Sequence, residues 1–313
     1  MRYSLISRFR GTLAGAFLGD SLTSDSKIQP QNYPDFGTMA ILGSESLIDL
    51  GRLDLDDWIA RQKKASLHLA AADVILAILP VTLFFHENPI KLRQNLLDIL
   101  KIWDDDPVVR DGTLAVGYAI ALALTEKLNP LTLIPQIISF LPETSASIPQ
   151  KLLRIQNLLE QGAGLERVQG EFASKEKLSN AIAIAFYCFL STSEDFRLAV
   201  LRATHNGDVK LQPSTRTSIQ STGAIAGALS GAYNTTAGIP LHWRVWFSQR
   251  NTSASEAISF DRILELSDAL VAVWSGLYDP VGLQPSNSTQ EESASSRVAL
   301  LSVYAAPRVI RSR

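Results

Sequence analysis

The densest group of side chains able to do chemistry is the run IWDDDPVVRDG (102–112), which holds Asp104, Asp105, Asp106 and Asp111. Carboxylates gathered this closely could hold a hard divalent cation, which takes several oxygen ligands. They also have a plainer use. Acids just ahead of a proline cap the free N–H groups of a helix start and complement its dipole, and the spacing here favours that reading. Three histidines stand out individually. His68 and His86 lie on or beside apolar stretches and read as surface or core residues, while His205, three residues before Asp208, is the best placed for a ligand contact. Cys188 sits in the apolar run AIAIAFYCFL with no histidine in local reach, so it reads as an inert core thiol. No Ser/His/Asp set, phosphate-binding loop or zinc spacing can be assembled from local sequence.

The elements that must position these residues are helical almost throughout. A 3.6-residue apolar period runs through RFRGTLAGAFLGDSL (8–22), TMAILGSESLIDLG (38–51) and LDLDDWIARQKKASLHLAAADVILAIL, the last with Asp54 as its expected N-cap. The same period marks a helix across 90–103, then DGTLAVGYAIALALTEKL, PLTLIPQIISFL, IPQKLLRIQNLLEQG, segments near 176–191 and 194–204, and FDRILELSDALVAVWSGLY (260–278). No run alternates over six to eight residues, so the expected class is all-α, a single domain over 1–280.

Composition narrows the function classes. Hydrophobic residues make up 46% and charged residues 19%, which suits a compact body with much buried surface. A net charge of −2 gives no global field to attract nucleic acid or an anionic membrane. The apolar stretch Leu67 to Phe85 is interrupted by His68, Asp73 and Pro80, so it reads as a core helix and not as a membrane span. The N-terminal MRYSLISRFRGTLAG lacks the apolar run and cleavage site of a signal peptide. A single cysteine rules out an intrachain disulfide framework and fits the cytoplasm.

Beyond Pro280 the composition changes. Residues 281–296, rich in Ser, Asn and Gln, read as a disordered linker. The segment RVALLSVYAAPRVIRSR (297–313) carries Arg297, Arg308, Arg311 and Arg313 and no acid. It reads either as a frayed tail or as a docking motif for another protein. In the second case Leu300, Leu301, Val303 and Tyr304 are the anchors, and the arginines face an acidic partner.

Two helices carry stripes of glycine. Gly11, Gly15 and Gly19 repeat the spacing of Gly223, Gly227 and Gly231, and a spacing of four places each trio on one helix face. Each interior glycine costs a helix roughly 1 kcal/mol relative to alanine. Close approach of another backbone would offset that loss, so the two stripes are expected to pack tightly at the centre of a bundle.

RFRGTLAGAFLGDSL resembles the N-terminal signature of the ADP-ribosylglycohydrolase family, a G-x-x-x-G-x-x-x-G-D helix. TGAIAGALSGAY followed by GIPLHW (238–243) is similar to that family's second signature, G-D-S/T-D-S/T-x-G-A-I-A-G-A-L with a downstream I-P-x-x-W. Between them, MAILGSESLIDLGRLDLDDWIAR resembles the helix that follows the family's T-D-D-T motif. The three occur in the family's order and cover roughly 1–280. The resemblance implies an orthogonal helical bundle with a pair of Mg²⁺ or Mn²⁺ ions held between two acidic motifs, cleaving N- or O-glycosidic ADP-ribosyl linkages.

Position by position, the resemblance also implies that this chemistry has been lost. T-D-D-T falls on Pro34, Asp35, Phe36 and Gly37, so one acid survives and a phenyl ring replaces the other. THNGD (204–208) resembles the start of the second motif and QSTG (220–223) its end, with an insert of about ten residues between. Asp208 then matches the first acid, Gln220 replaces the second, and Ser221 keeps a hydroxyl. The insert adds Lys210 and Arg216, both cationic. Lys27 stands where many members have a Glu, and Ala72, Asp73 and Ala77 replace the Asn, Gly and Arg of an N-G-x-x-M-R-x-x-P segment. The expected function is therefore a degenerate family member that acts as a binding or scaffold module and holds no metal. Its partner is another protein or a nucleotide-like ligand in a residual cleft. The rival reading is an active hydrolase with a rearranged site built on Asp35, His205 and Asp208.

Overall fold

The computed structural model describes residues 3–22, 35–103, 106–143, 147–173, 176–205, 213–250 and 259–277. Among them the fold is all-α, with no strand. The first helix, α1 (Leu5–Ser21), starts at Ser4, whose hydroxyl accepts from the Ser7 N–H. It is followed by α2 (Asp35–Leu50) and α3 (Leu55–Lys64), the latter capped by Asp54 as expected, with the carboxylate 3.2 Å from the Asp57 nitrogen. Next come α4 (Ala71–Ala77), α5 (Leu79–Phe84), α6 (Pro89–Leu100) and α7 (Pro107–Leu124). The bundle continues through α8 (Leu133–Phe140), α9 (Ile148–Glu160), α10 (Leu165–Glu171), α11 (Lys177–Ser191) and α12 (Phe196–Thr204). It closes with α13 (Pro213–Asn234), α14 (Leu241–Arg250) and α15 (Phe260–Trp274).

One long helix expected from the sequence is three. The chain turns between α3 and α4 through Ser66, at φ 53°. It turns again at Ile78, because Pro80 has no N–H for the Leu76 carbonyl and its ring would crowd the preceding turn. The acid run behaves as a cap: Asp106 ends the lead-in to α7 with its carboxylate 2.7 Å from the Val108 nitrogen, while Asp104 and Asp105 lie outside the described residues. Helix α7 is long and apolar enough to cross a membrane, yet 78% of it is buried inside the bundle.

The centre is the antiparallel pair α1 and α13. Gly11 faces Gly231, Gly15 faces Gly227 and Gly19 faces Gly223, so one stripe descends as the other climbs. A Cβ added to any of the six would collide with the carbonyl oxygen of the glycine opposite. The stripes are thus a ladder of backbone-to-backbone contacts, as their spacing implied, and packing replaces the helix propensity lost. Arg8, 7% exposed, locks the far end. Its Nη1 donates to the carbonyls of Ala123 (3.0 Å) and Ala232 (3.2 Å), in the last turns of α7 and α13, while Nη2 pairs with Glu126 at 3.1 Å. Carbonyls in the last turn of a helix have spare acceptor capacity, and one buried guanidinium serves three of them, the third being that of Tyr233 at 3.4 Å.

Candidate functional site

The opposite end of the ladder is where the motif residues meet. Gly19, next to Asp20 at the end of α1, lies against Gly223 of α13. A Cβ on Gly223 would also come 2.8 Å from Thr204 Cγ2, so the end of α12 joins them. The start of α2 packs on the other face of α1, with the Phe36 ring 5.7 Å from that of Phe17 and tilted by 40°. Gly37 sits so close that a Cβ would lie 2.7 Å from Phe17 Cε1. Segments far apart in sequence therefore gather around the end of α1, with 204 and 223 against Gly19 on one face and 36–37 against Phe17 on the opposite one.

Two of these segments differ in form from the sequence expectation. PDFG was expected to end a loop, yet Asp35–Gly37 form the first turn of α2. SIQST was expected as a lead-in before a helix at Gly223, yet α13 starts at Pro213, ten residues earlier. At 1.5 Å per residue its N-terminus lies about 15 Å from Gly223. Gln220, Ser221 and Thr222 are therefore helical and not loop residues. Ser221 and Thr222 are buried, Gln220 is half-buried, and all three are engaged in polar interactions. The signal for the longer helix is Pro213 itself, since proline is favoured at the first helical position.

The remaining candidates divide. His205 caps the end of α12 with an exposed side chain, and its carbonyl accepts from Gln169 Nε2 at 3.0 Å. The Asp35 side chain, Asp208, Lys27, Lys210, the Arg216 side chain and the tail residues Arg297, Tyr304, Arg308, Arg311 and Arg313 lie outside the described residues. His68 is exposed, whereas His86 is buried at 3% exposure. Cys188 is fully buried, and burial pushes its thiol up to about 12.

The model of the ADP-ribosylglycohydrolase family matches residues 1–280. The chain belongs to the ADP-ribosylglycohydrolase family. A comparison with curated proteins gives no match. For an ADP-ribosylglycohydrolase, the described part of the site does not fit a metal pair. Hard cations need several oxygen donors, most of them carboxylates. Here Phe36 is 1% exposed and presents only carbon, Gln220 offers a neutral amide, and no three His, Cys, Asp or Glu side chains gather among the described residues. Beside Phe17 a crevice runs between α1, α2 and α15, lined by Leu13, Ala40, Ile41, Ser44, Ile263 and Leu266. It is too narrow to admit a water molecule.

Proposed function

We propose that this ADP-ribosylglycohydrolase is catalytically degenerate and acts by binding, as a scaffold or regulatory module. One observation carries the reading: α13, which bears the second signature, has no Asp or Glu in its 22 residues and runs as helix through the positions that match the end of the acidic motif. A helical segment holds its backbone N–H groups in internal bonds, so it offers neither carboxylates nor free amides to a ligand. Several missing ligands leave little affinity for a cation. What the chain retains is the glycine ladder, which builds the fold without contributing to glycosidic cleavage.

The binding partner in this reading is another protein. Residues 1–280 form the body, 281–296 the linker and 297–313 the docking segment, with Tyr304 as apolar anchor and Arg297, Arg308, Arg311 and Arg313 facing acidic groups. A cytoplasmic location fits the lone, inert Cys188. The decisive assay incubates the protein with ADP-ribosyl-arginine and ADP-ribosyl-serine substrates, with and without Mg²⁺. No release of ADP-ribose above the protein-free rate is expected under either condition. Robust Mg²⁺-dependent release would establish a rearranged hydrolase site and discard the degenerate reading.

A further inference from the structure

Carboxylate-rich segments that converge in a fold repel one another and need a cation to stay together. Where the start of α2 meets the end of α1 the contact is instead aromatic. Phe36 and Phe17 are 1% and 4% exposed, with ring centroids 5.7 Å apart at a tilt of 40°. Offset, tilted rings at this separation attract beyond the area they bury. The first turn of α2 presses onto the same ring, since Gly37 leaves no room for a side chain against Phe17. The crevice beside Phe17 admits no water, so a hydrated ion finds no space there.

We propose that Phe36 has taken over the structural part of a metal, tying the start of α2 to α1 through apolar packing, so that this end of the fold is stable without divalent cations. This inference rests on the degenerate reading of the site. It goes further in assigning Phe36 a role of its own and in treating the metal position as rebuilt instead of merely emptied. It also implies that one carboxylate cannot restore the old state, because the second motif carries Gln220 in place of its own acid.

Thermal melting of the full chain tests this, on wild type and on Phe36→Ala, Phe36→Leu and Phe36→Asp, each with EDTA and with millimolar Mg²⁺ or Mn²⁺. Wild type is expected to melt within about 1 °C in all three buffers, whereas Phe36→Ala melts roughly 5–10 °C lower. Phe36→Leu, which keeps apolar volume, recovers at least half of that loss, and Phe36→Asp melts as low as the alanine variant in every buffer. If the alanine variant does not fold, the leucine variant and the wild-type comparison still decide. Phe36→Ala melting like wild type would overturn the role given to Phe36 and leave the degenerate reading standing. A wild-type melting point raised by Mg²⁺, or Phe36→Asp rescued by it, would overturn the rebuilt site. ADP-ribose release by wild type, with Phe36→Ala still melting low, would discard the degenerate reading alone.

Discussion

His86 lies between two rings, 5.4 Å from Phe9 and 5.0 Å from Trp274 by centroids, with Nδ1 2.7 Å from the Leu83 carbonyl oxygen. That short contact makes Nδ1 the donor, and burial pushes the imidazole down to about 4 from an ordinary 6.5. The consequence for stability has a definite sign. The unfolded chain takes up a proton at His86 near pH 6.5 while the folded chain refuses it until near pH 4, so stability is full above 6.5 and falls as the pH drops between those values. The gap between those two values corresponds to at most about 4 kcal/mol. Urea unfolding at pH 7 and pH 5 is expected to show this slope in wild type and a flatter one in His86→Gln. The Cys188 thiol, pushed up to about 12, is expected to react with a thiol reagent only after the chain unfolds. Its inertness was legible in the apolar run around it. The burial of Phe36 was not, because the residue stands beside polar neighbours and its partner Phe17 is nineteen positions away.

Helix positions show which physics sequence carries and which it does not. The glycine ladder was legible because a spacing of four is a statement about one face, and two matching stripes need each other. Gly227→Ala would gain helix propensity of about 1 kcal/mol, but its methyl collides with the Gly15 backbone, which cannot swing aside as a side chain would. A net loss of about 3 kcal/mol or more is expected by chemical denaturation. Gly170, in α10, has nothing within 4 Å of an added Cβ, so Gly170→Ala is expected to leave stability unchanged or raise it by up to about 1 kcal/mol. Equal effects of the two changes would refute the ladder. The starts of α2 and α13 were harder to read. Resemblance to acidic loops pointed to irregular chain at 35–37 and 218–222, and those residues carry little apolar periodicity. Tertiary packing of Phe36 and a proline at the head of α13 draw both segments into helix.

At the scale of the whole molecule, the family match over 1–280 agrees with a core whose described residues end by Val273. A chain ending at 280 is therefore expected to keep the helical signal of wild type and to melt within about 2 °C of it. A larger drop would mean that the C-terminal residues pack on the body. In the degenerate reading fold and site part company for a physical reason. The bundle rests on burial distributed over many side chains and on a backbone ladder that leaves no room for substitution, so its signatures survive in recognisable order. A metal site rests on a handful of carboxylates, and replacing them leaves the bundle intact. Calorimetric titration of the folded protein with Mg²⁺ and Mn²⁺ tests that separation most directly. No saturable heat is expected for either ion at millimolar concentration, whereas stoichiometric binding of one or two ions would contradict the loss of the metal site.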